Sequence, residues 1–155
     1  MIIENGVLIK VEKDDILGGF LSIPSEVVEI GKDACKSQTG LKFLSLPEGI
    51  QIIGENAFDD CIYLIHVTLP NSLKEIGRRA FSCTALENII IPSGVKKVDE
   101  YAFFDCEWLQ TVVAPKKCNI ASNSFSSSPI DWGKGEMITY AHSKIKTADD
   151  GMNKK

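Results

Sequence analysis

The side chains best suited to chemistry in this sequence are five cysteines and two histidines. A cysteine thiolate is a nucleophile and a metal ligand, and a histidine titrates near neutral pH and can act as a general base. They stand at Cys35, Cys61, Cys83, Cys106, Cys118, His66 and His142. Neither histidine belongs to a recognised catalytic motif, and the glycines form no phosphate-binding loop. We therefore predict no catalytic residue, no metal and no cofactor.

The spacing of the cysteines indicates a structural role. Cys61, Cys83 and Cys106 are 22 or 23 residues apart, and each stands three residues before the leucine of an apolar segment. Cys35 occupies a position that is phenylalanine in other copies, and Cys118 occupies an aliphatic position. A row of parallel thiols does not offer the tetrahedral directions that zinc requires, and a buried cysteine behaves as a small hydrophobic residue. We expect five free, buried thiols.

Five of the six prolines mark the repeat that positions these cysteines. Each follows an alternating apolar segment typical of a β-strand, such as LKFLSLP from residue 41 or LIHVTLP from residue 64. They lie 22 or 23 residues apart, at Pro24, Pro47, Pro70, Pro92 and Pro115. A unit of this length cannot bury its own apolar face, so neighbouring units must stack around one core. The sequence predicts a β-rich solenoid of about five turns with one parallel sheet.

A glycine follows the second aliphatic position of three units. These glycines are Gly31, Gly54 and Gly77, and Asp99 takes the place of the fourth. Glycine at this position suggests a turn that requires a positive φ. The third unit is one residue shorter than its neighbours, and we place the missing residue before Cys83.

The pattern LxxVxLPxxVxxIGxxAFxxCxx resembles the BspA-type leucine-rich-repeat family over residues 18–128. The resemblance implies a leucine-rich-repeat solenoid with little helix. Members of this family occur in surface, secreted and intracellular proteins, and those that have been characterised generally bind other proteins. The repeat itself implies no enzymatic activity. We number the units as turns one to five, at residues 18–40, 41–63, 64–85, 86–108 and 109–128.

Both ends of such an array need caps, because an open end would expose apolar side chains and unpaired strand groups. Asn5-Gly6 between apolar residues is a strong hairpin signal, so residues 1–17 are predicted to form a capping hairpin. Residues 129–141 are predicted to form a C-terminal cap with a short strand. Its apolar side chains are Ile130, Trp132, Met137, Ile138 and Tyr140. Residues 142–155 are predicted to be a flexible polar tail, which leaves one domain overall.

The charge of the chain argues against nucleic acid as a partner. The formal net charge is −4, so the chain as a whole does not attract phosphate backbones. Lys74, Lys96, Lys97, Lys116 and Lys117 form either a solvated face or a small basic patch.

No segment of the sequence approaches the roughly 20 consecutive apolar residues that a membrane-spanning helix needs, so membrane insertion is not expected. The start of the chain also lacks a secretion signal. We expect a cytoplasmic protein if the chain is full length, and a secreted or surface protein if it derives from a longer one.

The alternation of the strands places two rows of side chains on the outer face of the predicted sheet. The first row is Phe20, Phe43, His66, Asn88 and Thr111, and the second is Ser22, Ser45, Thr68, Ile90 and Val113. Tyr63 and Trp108 precede strand leucines at the rim of this face. Exposed aromatic side chains are typical anchors of a binding surface. We predict a non-catalytic protein-binding module centred on Phe20, Phe43, His66 and Thr68.

Three other functions are compatible with the sequence. Within the binding class, the chain could be a stand-alone inhibitor or effector that blocks a larger protein complex. A structural or adhesive protein would associate with itself weakly, through exposed strands or through a patch formed by Ile90 and Val113. An enzyme would need titratable groups that converge on a cleft between the array and the tail.

Overall fold

The computed structural model describes residues 1–130 and the backbone of residues 136–140. These residues form a β-solenoid, and their one helix is the short 3-10 helix Lys13–Asp15. The strands are β1 (Ile2–Glu4), β2 (Val7–Lys10), β3 (Ile16–Leu17), β4 (Phe20–Leu21), β5 (Glu29–Ile30), β6 (Phe43–Ser45), β7 (Ile52–Ile53), β8 (His66–Thr68), β9 (Glu75–Ile76), β10 (Asn88–Ile90), β11 (Lys97–Val98), β12 (Thr111–Pro115), β13 (Asn119–Ile120) and β14 (Glu136–Tyr140). The predicted solenoid of about five turns with little helix is confirmed.

Each turn contributes one strand to a front layer and a second strand to a rear layer. The front layer contains β4, β6, β8, β10 and β12, and it is the parallel layer that the sequence predicted. The structure adds a rear sheet of seven strands in the order β1-β2-β5-β7-β9-β11-β13. Its strands within the repeats are only two residues long, which is too short to show alternation in the sequence.

Stacked phenyl rings form the centre of the core between the two layers. Phe58, Phe81, Phe103 and Phe125 lie one above the other, with ring centroids 5.2, 5.5 and 5.2 Å apart and nearly parallel planes. Cys35 takes this position in turn one and is fully buried. Each buried phenyl side chain stabilises the fold by about 1.5–3 kcal/mol, so the stack is a major part of what holds the turns together.

Backbone hydrogen bonds between successive turns hold the side of the solenoid that has no strands. The N–H of Phe58 donates to the carbonyl of Ala80 at 2.8 Å, and the N–H of Phe81 donates to Ala102 at the same distance. Because the same bond repeats from turn to turn, these buried backbone groups are satisfied without a helix.

The repeated glycines allow close approach of neighbouring turns, and the prediction that they need positive φ is wrong. None of the three has a positive φ. A Cβ atom on Gly54 would lie 2.8 Å from the carbonyl oxygen of Ile30, and one on Gly31 would lie 2.6 Å from that of Leu8. Positive φ occurs instead two residues further on, at Asp33, Asn56, Arg79 and Tyr101. Glycine is required in these three turns because the backbone of the preceding turn leaves no room for a side chain.

Two hairpins begin the solenoid. In the first, β1 pairs with β2 around Asn5 and Gly6, whose φ values of 50° and 78° fit a two-residue turn. The second joins β3 to β4 through Gly18 and Gly19, which also have positive φ. The first hairpin continues the rear sheet through β5, and the second begins the front layer.

At the other end, β14 pairs in parallel with β12 from Thr111 and Glu136 to Pro115 and Tyr140. Capping by residues 1–17 and 129–141 stays a prediction. Trp132, the tail 142–155 and the side chains of Met137, Ile138 and Tyr140 lie outside the described residues.

The missing residue of turn three falls after the cysteine, so its predicted position is wrong. Asp60, Cys83 and Asp105 share a positive φ of 62°, 56° and 54°, which makes them equivalent positions in their turns. Thr84 is therefore the equivalent of Cys61 and Cys106. Between these positions and the next leucine, turns two and four have two residues, whereas turn three has only Ala85.

The front layer is interrupted beside this short connection. One front sheet has the order β3-β4-β6-β8 and the other has the order β10-β12-β14, while the rear sheet is continuous. Among the described residues, β8 and β10 are neighbours without strand pairing. The front of the solenoid is therefore divided into two parts between turns three and four.

Candidate functional site

Phe20 and Phe43 form a stacked aromatic pair on the front of the solenoid. Parallel pairing of β4 with β6 sets the two residues side by side, and their ring centroids are 5.0 Å apart. Phe20 is 59% exposed and Phe43 is 38% exposed. The next residue of this row, His66, pairs with Phe43 in register and is also exposed. Exposed aromatic pairs on ordered sheets are typical of surfaces that bind ligands.

The second row begins with exposed polar side chains and ends with a buried valine. Ser22, Ser45 and Thr68 are exposed, as is the apolar Ile90. Val113 is only 3% exposed, so the prediction that it faces solvent is wrong. It lies in the middle of the five-residue strand β12, where it pairs in register with the added strand β14. A patch of Ile90 with Val113 is therefore not present at the surface.

A pocket of about 220 Å³ lies where the front layer is interrupted. Its lining includes four of the predicted site residues, His66, Thr68, Asn88 and Ile90, together with Pro92. The imidazole Nε2 of His66 is 3.3 Å from the hydroxyl of Thr68, so the two polar groups support each other at the edge of the pocket. Thr111 is half-buried and is not part of the lining.

Leu17 is a candidate site residue that the sequence analysis missed. It pairs with Phe20 across the β3–β4 hairpin, and it is 74% exposed. Residues directly opposite each other in such a pair lie on the same face, so Leu17 extends the apolar surface of the two rings. The signal was present as Gly18-Gly19 between two apolar pairs, which is a hairpin pattern.

Tyr63 and Trp108 stand on the loops that border turn three, as the last residues before Leu64 and Leu109. Both are well exposed, Trp108 at 63%. In turn three the residue directly before Leu86 is Ala85, which has no ring, and the loop is one residue shorter. The two aromatic residues are therefore separated by a gap at the rim.

Four of the five thiols, those of Cys35, Cys61, Cys106 and Cys118, have a raised pKa and are poor nucleophiles at neutral pH. Cys35, Cys61 and Cys106 are fully buried, whereas Cys83 and Cys118 are only half-buried, contrary to prediction. Burial raises the pKa of Cys61 to about 12 and that of Cys106 and Cys118 to about 11. All five cysteines are free thiols. Because the thiolate is the nucleophile and the metal ligand, a raised pKa disfavours both roles.

The described part of the chain contains neither a cluster of metal-ligating residues nor a membrane-spanning helix. There, no group of three or more histidine, cysteine, aspartate or glutamate residues is placed to hold a metal ion. His142 lies outside the described residues. The same part contains no helix with the length and apolar character needed to cross a bilayer.

The lysines of the predicted basic patch belong to the rear strand β11 or to the segments that lead into the rear strands. Lys97 is part of the rear strand β11 and forms an ion pair of 3.2 Å with Asp99. Lys96, Lys116 and Lys117 are exposed. One of the four cations near the C-terminal end of the array is thus already paired.

Solved structures with the same fold come from several bacteria. A leucine-rich cell surface protein from Faecalibacterium prausnitzii matches with a TM-score of 0.71 and 24% identity, over 86% of this chain and 34% of that one. The pneumococcal vaccine antigen PcpA matches with a TM-score of 0.71 and 25% identity, over 92% of this chain and 36% of that one. A leucine-rich-repeat protein from Bacteroides ovatus has a TM-score of 0.59 and 23% identity, over 79% of this chain and 38% of that one. The chain thus spans little more than a third of these proteins.

The repeat is also recognised at the level of sequence. A search of curated proteins found no significant match. The family model of the BspA type leucine rich repeat region matches six copies over residues 19–131. That range agrees with the array inferred from the prolines, and it covers most of the chain. The chain belongs to the BspA-type leucine-rich-repeat family.

Proposed function

We propose that the chain is a non-catalytic protein-binding module that docks a partner on its front face, around Phe20, Phe43, His66 and Thr68. The observation that carries this proposal is the stacked and exposed aromatic pair on an ordered sheet. Leucine-rich-repeat proteins generally bind other proteins, and the fold therefore supports this class of function.

The composition of the face matches that of a binding hot spot. Covering a phenyl ring removes apolar area from water at about 25 cal/mol per Å², and the paired rings of Phe20 and Phe43 are fixed before binding. Ser22 and Ser45 lie in the same strands or next to them and provide a polar rim. The pocket beside His66 and Thr68 has room for one apolar side chain of the partner. An aromatic anchor beside a pocket is the arrangement in which a few residues supply most of the affinity.

The proposal is tested by capture of partners from cells of the source organism on three forms of the immobilised chain. The forms are the unchanged chain, Phe43→Ser on the front face and Ile52→Ser on the rear sheet. Ile52 is a matched control because it is 36% exposed, close to the 38% of Phe43, and lies in a strand of two residues against three for the strand of Phe43. We expect Phe43→Ser to reduce the captured partner at least about tenfold and Ile52→Ser to leave it unchanged.

Circular dichroism and thermal unfolding of both variants establish that the fold is intact. Equal capture by the unchanged chain and by Phe43→Ser would reject the front face as the binding surface. Loss of capture by Ile52→Ser alone would move the site to the rear sheet.

The stand-alone inhibitor or effector is a form of the same proposal, and the identity of the captured complex distinguishes it. The hypothesis of a self-associating protein has lost part of its support, because Val113 is buried and only Ile90 of the expected pair is exposed. Light scattering at two protein concentrations separates the two functions. Our proposal predicts the mass of one chain at both, whereas self-association predicts a mass that rises.

For localisation, the descriptions of the structural relatives favour the surface alternative. One relative is described as a cell surface protein and another as a vaccine antigen. We propose that this chain works outside the cytoplasm, presenting its front face to a protein of another cell or of the surrounding matrix. Protease accessibility on intact cells tests this directly, since an intracellular protein would be resistant.

A further inference from the structure

The short loop of turn three leaves a notch in the rim of the solenoid. Its volume is about 220 Å³, and its lining is Ile62, Cys83, Thr84, Asp105, Glu107 and Trp108. These residues come from three successive turns, with Thr84 at the deletion itself. Turn three has one loop residue fewer than turns two and four, and the residue before its leucine is the small Ala85 instead of Tyr63 or Trp108. The notch therefore has a specific origin in the sequence and is not a general feature of the repeat.

The lining combines an aromatic wall with negative charge. Trp108 is the most exposed aromatic side chain of the described residues, and Ile62 is also exposed. Two carboxylates, Asp105 and Glu107, line the same space. None of the ion pairs among the described residues involves either of them. The Sγ of Cys83 is 4.0 Å from Oδ2 of Asp105.

We propose that this notch binds an arginine side chain of a partner protein, with the guanidinium on Trp108 and in contact with Asp105 and Glu107. Among the aromatic side chains, the face of tryptophan attracts a cation most strongly, and a planar guanidinium can also stack on it. A carboxylate accepts two parallel hydrogen bonds from the same group. Lysine fits the charge but offers neither the planar stacking nor the paired hydrogen bonds.

The notch is separate from the front-face anchor. The proposal for the notch rests on the proposed function only because it assumes that a partner protein supplies the arginine. Phe20 and Phe43 belong to turns one and two, whereas the carboxylates and Trp108 belong to turn four. Loss of arginine binding would leave capture through Phe43 unaffected, so the two proposals fail independently.

The experiment titrates the full chain, labelled with nitrogen-15, with Nα-acetyl-arginine amide at 150 mM salt. The matched ligand is Nα-acetyl-citrulline amide, which has nearly the same shape but a neutral head group. We expect saturable NMR shifts at the indole of Trp108 and the amides of Thr84 and Glu107. A single side chain should bind with a Kd on the order of 1 mM, and citrulline should bind at least about fivefold more weakly.

Three variants test the assignment. Trp108→Leu removes the aromatic face, and Glu107→Gln removes one charge, and each should weaken arginine binding by about two- to fivefold. Insertion of one serine after Thr84 restores the longer unit and fills the notch without changing a charge. Arginine binding should then be lost.

Equal binding of arginine and citrulline would overturn the proposal, as would shifts that map to other acidic residues or binding that persists after the insertion. Trp108→Leu and Glu107→Gln change exposed side chains. They therefore keep the test decisive if the insertion variant fails to fold.

Discussion

At the scale of single residues, one position of the repeat is, in turns three to five, a small side chain that can donate a hydrogen bond. It is Cys106 in turn four, Ser128 in turn five and Thr84 in turn three. The Sγ of Cys106 is 3.1 Å from the carbonyl oxygen of Phe81, one turn earlier, and the hydroxyl of Ser128 donates to Phe103 at 2.6 Å. Thr84 donates within its own turn, to Phe81 at 2.9 Å. Each side chain satisfies a buried carbonyl and fills a small space, so thiol and hydroxyl groups can replace each other.

The titration of these thiols predicts a loss of stability at high pH. Burial raises the pKa of Cys106 from 9.0 to about 11, so the folded chain keeps a proton that the unfolded chain releases. The contribution is fully present below pH 9 and disappears as the pH rises toward 11. Urea unfolding at pH 8, 9 and 10 measures it. Above pH 9, the free energy of unfolding of Cys106→Ser should fall by about 1 kcal/mol less per pH unit than that of the unchanged chain.

The comparison between Cys106→Ser and the unchanged chain isolates one thiol, because every other titrating group is common to both. Parallel stability profiles for the two proteins would contradict the burial of a protonated Cys106.

The equivalence of these positions shows a limit of reading the sequence. Cys83 stands three residues before Leu86, as Cys61 stands three residues before Leu64, so spacing alone aligns the two. The backbone aligns Cys83 with Asp60 instead, since both have a positive φ. A one-residue deletion in a loop can be placed on either side of a short motif, and only the conformation decides which is correct.

At the scale of elements, the close contact between the backbones of neighbouring turns determines which residues the rear layer accepts, more than the strand propensity of those residues does. The rear strands are held by parallel pairing such as Ile30 with Ile53 and Ile53 with Ile76. Directly after two of these isoleucines, Gly31 and Gly54 bring the turns close together. The sequence shows that these glycines recur at the spacing of the repeat, but it does not show why. Close packing between turns involves residues far apart in the chain and leaves no local sequence pattern.

Gly54→Ala is expected to destabilise the solenoid. The new Cβ atom would lie 2.8 Å from the carbonyl oxygen of Ile30 and 3.0 Å from the backbone carbon of Gly31, so the turns must separate. Overpacking of this kind costs about 1–3 kcal/mol. Chemical unfolding with urea, followed by circular dichroism, measures the difference.

Gly40→Ala provides the control, because its Cβ atom would meet only the side chain of Ile16, at 3.8 Å. Its effect should stay within about 0.5 kcal/mol. If the two variants are equally stable, the account of close approach between turns is wrong.

At the scale of the whole molecule, the repeat determines the architecture and its irregularities determine the candidate sites. The prolines and aliphatic positions predicted the solenoid, and alternation predicted that Phe20 and Phe43 share one face. Alternation did not predict the burial of Val113, which lies in a strand that pairs with the later strand β14. Nor did it predict the divided front layer, because the effect of the deletion on strand pairing depends on neighbouring turns.

The affinity of the captured partner for single-site variants tests the central claim most directly. Isothermal titration calorimetry compares the unchanged chain with Phe43→Ser and Ile52→Ser after both variants are shown to be folded. If the aromatic pair anchors the partner, Phe43→Ser raises the Kd at least about thirtyfold and Ile52→Ser changes it by less than about twofold. An unchanged Kd for Phe43→Ser would contradict the claim that this chain binds its partner through the front face.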